Sequence, residues 1–128
     1  MVEDRVTDGR RVAQLLASEL TAREDGPLAG LELVDVDRDA EPSADGTLAY
    51  RVARDGETVA DAYLQPERVR LEFRVAPESV ADTAREAGLR VRPKAVQPPR
   101  TLVFVESGVD AKRALDAVRA ALGGGADF

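Results

Sequence analysis

The dipeptide Asp55-Gly56 stands between two runs of alternating side chains, residues 47–54 and 57–64, and constrains the fold more than any other feature. A type I′ turn needs a positive φ at both central residues, and Asp-Gly is among the pairs that accept it. The two runs are therefore predicted to form an antiparallel hairpin. Residues 68–75 alternate as regularly and are predicted to add a third strand. The core-facing side chains of that strand are predicted to be Val69, Leu71, Phe73 and Val75.

The predicted two-residue turn determines which side chains of the hairpin lie opposite one another. A slip of one residue would exchange the two faces of a strand. The predicted cross-strand pairs are Val52 with Val59, Tyr50 with Asp61, and Leu48 with Tyr63.

The turn into the third strand has two alternative registers. A two-residue loop would place Glu72 opposite Asp61, which is an unfavourable like-charge pair. One further loop residue pairs Tyr63 with Leu71 and Asp61 with Phe73, and it gathers the large apolar groups together. The second register is therefore predicted.

The remaining elements are predicted from apolar spacing, caps and breakers. The first helix is predicted between an N-cap at Thr7 and a stop at Gly26-Pro27. The other predicted elements are a strand over 31–37, a helix over 77–87, strands over 89–92 and 101–106, and a helix that begins at Ser107 or Asp110 and ends at residues 123–125.

The resulting order is α-β-β-β-β-α-β-β-α, which predicts an α+β fold. We expect a mainly antiparallel sheet of five to six strands with about three helices, mostly on one face. The chain has 128 residues, about the size of one domain. A single domain over 1–128 is predicted, with frayed ends at 1–6 and 123–128.

The chain contains no histidine and no cysteine. This excludes disulfides, thiolate nucleophiles, Fe–S clusters and every catalytic triad that uses histidine. A zinc site would have to be built from carboxylates alone, which is not expected. The glycines at 123–125 follow a predicted helix instead of opening one, so they do not form a phosphate-binding loop. No cofactor and no metal is predicted.

The net charge is −6, and only two of the 18 basic residues are lysines. Arginine in place of lysine, with many aspartates, is typical of proteins adapted to molar salt, where charge repulsion is screened within about 3 Å. A GC-rich genome would produce a similar excess of Ala, Asp and Arg. No stretch is apolar over the roughly 20 residues of a membrane span, and the charged N-terminus lacks a signal-peptide core. A halophilic, archaeal, cytoplasmic protein without membrane contact is predicted.

The cations are unevenly distributed along the chain. Residues 1–64 carry 15 acidic and 7 basic side chains, whereas residues 65–128 carry 9 acidic and 11 basic ones. No acidic residue occurs between Gly88 and Val105. The candidate anion-binding residues are Arg68, Arg70, Arg74, Arg90, Arg92, Lys94 and Arg100.

These cations have two alternative roles. Guanidinium forks could bind a phosphate-bearing or carboxylate ligand. Alternatively, they lie on solvent-facing strand positions, pair with the surplus aspartates and protect the strand edges. Nucleic-acid binding by the same residues is disfavoured, because molar salt weakens it and no exposed aromatics are predicted among the arginines.

A second candidate surface is an alanine-rich face of the predicted sheet. Its members are Ala49, Ala53, Ala60, Ala62 and Leu64, with Arg51, Arg70 and Arg74. It could meet its own copy across a two-fold axis in a homodimer. Alternatively, one of the chain's own helices covers it.

Two acidic features are weaker candidates. In the preferred register Asp61 lies among apolar groups opposite Tyr50, and burial there would raise its pKa as in an acid–base site. More often such a carboxylate is hydrogen-bonded structurally. The run Asp35-x-Asp37-x-Asp39 resembles the start of a calcium loop, but the required glycine and glutamate are replaced by Ala40 and Gly46.

Two blocks carry a resemblance, residues 2–11 (Val-Glu-Asp-Arg-Val-Thr-Asp-Gly-Arg-Arg) and residues 89–106, which contain Arg-Pro-Lys-Ala-Val-Gln-Pro-Pro-Arg. Together they resemble a family of short, acidic, uncharacterised haloarchaeal proteins, over most of the chain. The resemblance implies an intracellular protein of unknown function and brings no activity or catalytic residue.

The sequence thus predicts a non-enzymatic binding or protein-interaction domain with an arginine-rich surface for an anionic ligand or partner. Self-association through the sheet is also predicted. Two alternatives stay open: a nucleic-acid-binding protein that uses the same arginines, and an enzyme that uses Asp61.

Overall fold

The computed structural model describes residues 8–22 and 28–123. Within these residues the chain forms three helices and six strands in the predicted order. The helices are α1 (Gly9–Thr21), α2 (Pro77–Glu86) and α3 (Gly108–Ala121). The strands are β1 (Leu31–Val34), β2 (Thr47–Arg54), β3 (Glu57–Gln65), β4 (Arg68–Phe73), β5 (Arg90–Lys94) and β6 (Arg100–Val105). The predicted α+β class is confirmed.

All six strands belong to one antiparallel sheet with the order β1-β2-β3-β4-β6-β5. The first four strands form a meander. The chain then passes through α2, forms β5 at the far edge, and returns as β6 between β4 and β5. This return makes neighbours of β4 and β6, which are far apart in the sequence.

The three helices pack as a layer on one face of the sheet. Helix α3 contacts both α1 and α2, and all three helices contact strands. Strand β4 presents Val69, Leu71 and Phe73 to this layer, and all three are fully buried. Their partners across the β4–β6 ladder, Val105 and Val103, are fully buried as well. The apolar core therefore lies between this face and the helices.

The start of α1 is held against the turn between β3 and β4. Asp8 is the N-cap, and its carboxylate accepts a hydrogen bond from the amide of Arg11 at 3.1 Å. The amide of Gly9 donates to the carbonyl of Pro66 at 3.0 Å. A Cβ on Gly9 would overlap the carbonyl oxygen of Gln65, so the close approach requires glycine here.

Several predicted ends differ from the observed ones. β1 ends at Val34 because Asp35 has a φ of 50°, which leaves the extended conformation. β4 ends at Phe73, and β5 continues through Pro93 to Lys94, which an edge strand tolerates. Of the two predicted caps of α3, Ser107 is the observed one. The predicted N-cap at Thr7 is wrong, because Asp8 caps α1. The predictions for Gly26-Pro27, residues 1–6 and residues 124–128 lie outside the described residues.

The hairpin turn is confirmed, but the register beyond it differs from the predicted one. Asp55 and Gly56 have φ values of 53° and 81° and connect strands that pair Arg54 with Glu57. The predicted Leu48–Tyr63 pair is observed. Two irregularities between these ends shift β2 against β3. As a result Val52 faces Ala60 and Tyr50 faces Ala62, so the predicted Val52–Val59 and Tyr50–Asp61 pairs are wrong.

The predicted register between β3 and β4 is also wrong. The strands are joined by a two-residue loop, with Gln65 opposite Arg68, and Asp61 lies directly opposite Glu72. This register turns alternate residues of both strands toward the helices. Those residues are Ala60, Ala62, Leu64, Val69, Leu71 and Phe73. Their burial favours this register, and the like-charge pair is stabilised by cations on the other face.

Across residues 8–22 and 28–123, every helix is too short or too polar to cross a lipid bilayer.

Candidate binding surface

The face of the sheet that points away from the helices, here called the open face, carries most of the charged strand residues. Strand β4 shows why, since its apolar residues alternate with Arg68, Arg70 and Glu72. Side chains of successive residues point to opposite sides of a strand. Because Val69, Leu71 and Phe73 face the helices, the charged residues between them face the opposite way.

All seven cations predicted from the sequence lie on the open face. On β4 and just after it these are Arg68, Arg70 and Arg74, and on β5 and β6 they are Arg90, Arg92, Lys94 and Arg100. Ladder pairs connect them across the sheet, because Lys94 faces Arg100 and Arg90 faces Phe104. The sheet order therefore brings two separate stretches of sequence onto one surface.

An eighth cation, Arg51 on β2, joins them, although the sequence analysis did not include it in this group. Arg51 lies opposite Asp61 in the β2–β3 ladder. Its Nε lies 3.1 Å from Asp61, and its Nη1 lies 3.2 Å from Asp35. Arg51 lies in a predicted strand whose neighbour carries an aspartate, and this position could have indicated an ion pair. Only the true register, however, shows that the two residues lie opposite each other.

Asp61 lies at the centre of the open face and is 0 % exposed. Arg74 binds both of its carboxylate oxygens, at 2.9 and 3.0 Å. Arg51 lies 3.1 Å from the carboxylate and Arg100 lies 3.7 Å from it. Three guanidinium groups thus surround the carboxylate and shield it from water, as a buried charge requires.

Glu72, directly opposite Asp61, is only 2 % exposed. Arg70, Lys94 and Arg100 lie 3.1, 3.2 and 3.3 Å from its carboxylate oxygens. Burial alone would raise the pKa of Glu72. The hydrogen bond and charge of Lys94, together with Arg70 and Arg100, outweigh burial and hold this pKa below its ordinary value.

The two carboxylates do not neutralise the cations around them. Five cations contact Asp61 or Glu72, and Asp35 at the rim is a third acid in contact with one of them. The centre of the open face therefore carries two more positive than negative charges. Those cations are Arg51, Arg70, Arg74, Lys94 and Arg100.

Two aromatic rings lie among the arginines, which the sequence analysis did not anticipate. The guanidinium of Arg68 stacks over Phe104 at 4.1 Å, and that of Arg70 stacks over Tyr63 at 4.7 Å. Phe104 is only 5 % exposed beneath this cover. Tyr63 is half-buried on the open face.

The cations nearest the β5 edge are the most accessible. Arg90 lies 3.5 Å from Glu106, which also pairs with Arg68 at 3.4 Å, and the Arg90 side chain is 67 % exposed. Arg92 is exposed and forms no ion pair with any residue in 8–22 or 28–123. These two side chains are available to a partner at the least structural cost.

The predicted alanine-rich face does not exist as one surface. Ala60, Ala62 and Leu64 face the helices and are buried in the core, whereas Arg51 and Arg70 lie on the open face. The structure thus follows the alternative for these three residues, in which the chain's own helices cover them.

The predicted Asp61–Tyr50 arrangement is also absent, since the two residues lie on opposite faces of the sheet. The Tyr50 hydroxyl donates to the carbonyl of Ala13 in α1 at 2.8 Å, and burial raises the pKa of Tyr50. In the acidic loop, Asp37 accepts a hydrogen bond from the amide of Asp39. Within the described ranges, no group of three or more acidic side chains could hold a metal ion.

Three cavities within the described residues border the sheet, and one of about 480 Å³ at the turn between β3 and β4 is lined by Gln65, Arg68 and Glu106. A second, of about 340 Å³, lies between the start of α2 and the proline-rich loop, and Lys94 and Arg100 border it. A third, of about 550 Å³, lies between α1 and the segment that follows β1. The cations spread over one sheet face from β2 to β5, which suits an extended partner better than an enclosed small molecule.

The fold and this surface define an α+β domain with an open, arginine-rich sheet. The chain belongs to DUF7993, a family of unknown function, whose model matches residues 1–127. No curated protein and no solved structure matches the chain.

Proposed function

We propose that this chain is a non-enzymatic protein-interaction domain whose open face binds an anionic partner. One observation carries the proposal: the open face gathers eight cations in a chain whose net charge is −6. The acidic side chains on and beside this face are fewer than its cations. A surface of this kind attracts and orients a partner of opposite charge.

The geometry around Asp61 supports a carboxylate or a phosphate as the anionic group. Arg74 already binds a carboxylate through two parallel hydrogen bonds. Guanidinium forks match carboxylates and phosphates equally well. Arg90 and Arg92 extend the same surface to the β5 edge with groups that the chain leaves accessible. The partner therefore carries several carboxylates or phosphates along an extended segment.

Nucleic-acid binding is the second candidate, and Tyr63 beside Arg70 is the observation that favours it. Single-stranded nucleic acid stacks its bases on accessible aromatic rings beside cations. However, Arg68 covers Phe104, which is 5 % exposed. One half-buried ring supports less stacking than such surfaces normally use, so an acidic protein segment is the stronger candidate.

Catalysis by Asp61 has the weakest support. The carboxylate is 0 % exposed and lies within reach of three guanidinium groups. A general acid or base must come within hydrogen-bond reach of the substrate. Asp61 would have to lose a cation partner first.

The composition supports a proposal about the salt conditions and the cellular location in which this binding takes place. Two lysines against sixteen arginines, with many aspartates, favour a salt-adapted archaeal protein that acts in the cytoplasm. One continuous sheet and one hydrophobic core support a single domain over the described residues. In molar salt long-range attraction is screened, so contact between paired groups must supply the specificity.

The test is an NMR titration of the full chain in molar KCl with a polyglutamate peptide, and in parallel with tripolyphosphate. We expect amide shifts on the open face, centred on Leu102 and Phe104. The double variant Arg90→Ser/Arg92→Ser should weaken binding about tenfold, which corresponds to about 1.4 kcal/mol. The matched control, Arg85→Ser/Arg119→Ser, removes two charges from the helix layer and should leave affinity unchanged.

Two outcomes would count against the proposal. Equal losses in both double variants would mean that only net charge matters. Shifts confined to the helices would place binding elsewhere. An oligonucleotide that binds the open face at the same salt concentration, while polyglutamate does not, would favour the nucleic-acid alternative.

A further inference from the structure

Strand β5 forms one edge of the sheet. It pairs with β6 on one side, and no strand among residues 8–22 and 28–123 pairs with its outer side. An edge strand presents unpaired amide and carbonyl groups, to which an extended segment of another protein can add as a further strand. The outer side of β5 is therefore a place where an extended partner can bind.

The ladder determines which backbone groups of β5 lie on that outer side. In an antiparallel sheet, residues that hydrogen-bond one neighbouring strand alternate with residues that hydrogen-bond the other. Counted from the two-residue turn between β3 and β4, this alternation makes Arg90 and Arg92 the residues that bond β6. Pro93 then has its nitrogen on the outer side, which suits a residue without an amide hydrogen. The amide and carbonyl of Val91 and the carbonyl of Pro93 lie on the outer side.

On the open face, this edge carries cations that the chain pairs incompletely. Arg92 is exposed and forms no ion pair with the described residues. Arg90 is 67 % exposed and shares the carboxylate of Glu106 with Arg68, so two cations contact one acid. Toward an added strand, both arginines occupy non-hydrogen-bonded positions, where side chains of facing residues approach most closely. Acidic residues opposite them compensate charge that the chain leaves in excess.

On the helix side of the same edge lies a cavity with mostly apolar walls. It has a volume of about 340 Å³ and lies between α2 and the end of β5. Its apolar walls are Pro77, Ala81, Pro93, Ala95 and Pro99. Val91 lies opposite the buried Val103, so it faces the helix side as well, and it is partly exposed. An apolar side chain on this side of an added strand thus has both Val91 and the cavity to pack against.

We propose that the anionic partner is an extended protein segment that alternates acidic and apolar residues and adds to β5 as a further antiparallel strand. This inference rests on the proposed function and names the partner and the edge that binds it. The acidic side chains lie on the open face, opposite Arg90 and Arg92. The apolar side chains lie on the helix side, opposite Val91 and Pro93. Because side chains alternate along a strand, one segment satisfies both faces.

The two edges of the sheet differ in charge, and this difference selects β5. The β1 edge carries the exposed Glu32, whereas the β5 edge carries Arg90 and Arg92. An acidic segment is attracted to β5 and repelled by β1. Molar salt screens attraction between charges, so backbone hydrogen bonds and apolar contacts at the edge supply affinity that charge alone does not.

The experiment is an NMR titration of the full chain in molar KCl with a capped peptide that alternates aspartate and valine. The matched control peptide has the same composition, with its aspartates and valines in separate blocks. We expect the alternating peptide to bind at least about tenfold more tightly, because only it places acids and apolar groups on opposite faces of a strand. Its binding should also slow hydrogen exchange of the Val91 amide, which gains a carbonyl partner.

Methylated peptides test the backbone hydrogen bonds without altering the protein. In the antiparallel pair, the valines of the peptide direct their amides toward β5, and the aspartates direct theirs away. N-methylation of the valines should therefore abolish binding, whereas N-methylation of the aspartates should preserve it. The variant Val91→Pro removes the outward amide, keeps an apolar side chain, and should weaken binding as well.

The outcomes separate this inference from the proposed function. Equal affinity for the alternating and block peptides, with no protection of the Val91 amide, would overturn the added strand. The arginines and Pro93 would then only guard the edge against other strands. If polyglutamate still shifted amides of the open face, the proposed function would stand. Absence of binding by every peptide would overturn both proposals.

Discussion

The two faces of the sheet are built from the same strands and bury their side chains by different means. On the helix-covered face, Val69, Leu71 and Phe73 are fully buried in an apolar layer. On the open face, Asp61 and Glu72 are buried almost as deeply, but under arginine and lysine side chains. One face excludes water by the hydrophobic effect, which depends on area and not direction. The other depends on specific pairs of charged groups.

The comparison shows why a like-charge pair can occupy the centre of a sheet. Apolar burial on one face selects the β3–β4 register, and that register places Asp61 opposite Glu72. The repulsion between these two carboxylates arises on the open face, where five cations offset it. Each face therefore constrains the other through the alternation of the strand.

The largest effect is expected on the helix-covered face. Replacing Phe73 with alanine should lower the free energy of unfolding by about 3–5 kcal/mol, because it removes a fully buried ring and leaves a cavity. Urea denaturation at fixed salt measures the change. The control Val96→Ala, at a 39 % exposed position, should have little effect. A loss below about 1 kcal/mol for Phe73→Ala would contradict the placement of the core.

The next largest effect tests the open face. Asp61→Asn keeps the shape of the side chain and removes its charge, which leaves Arg51, Arg74 and Arg100 without a shared counterion. We expect a loss of about 3 kcal/mol in the same denaturation experiment. Asp82→Asn, which breaks an exposed pair with Arg85, should change stability by less than about 0.5 kcal/mol. Equal effects would mean that burial adds nothing to the Asp61 pairs.

The smallest effect concerns acid stability and depends on Glu72. Its pKa is lowered in the folded state from an ordinary value of 4.5, so the unfolded chain binds the proton more readily. Its contribution to stability is therefore complete above about pH 4.5 and is lost as the pH falls through the lowered pKa. The variant Glu72→Gln should show a shallower loss of stability on acidification. An unchanged acid dependence would show that Glu72 titrates alike in both states.

The strands and helices followed from local patterns, but the registers did not. The turn at Asp55-Gly56 was predicted because two residues with positive φ suit that dipeptide. The Asp61–Glu72 pair was rejected because the pairwise rule for like charges considers two strands alone. Arg51 on β2, and Lys94 and Arg100 on β5 and β6, stabilise the pair from outside those two strands.

The candidate surface was partly predictable for the same reason. Alternation with period two predicts that Arg90 and Arg92 lie on one side of a strand. The strand order and the two irregularities in β2 decide which face of the sheet carries these arginines and which other strands contribute to that face. Arg51, Tyr63 and Phe104 joined the surface only through those long-range pairings.

The sequence by itself determined the element types and the fold class, because turn chemistry, caps and apolar periodicity act over a few residues. It also determined the excess of cations in the C-terminal half. Tertiary structure alone decided that β6 lies between β4 and β5, which brings Arg100 within 4 Å of both buried carboxylates. The physical reason is that a charge cluster depends on distances in space, and strand pairing sets those distances between residues far apart in the chain.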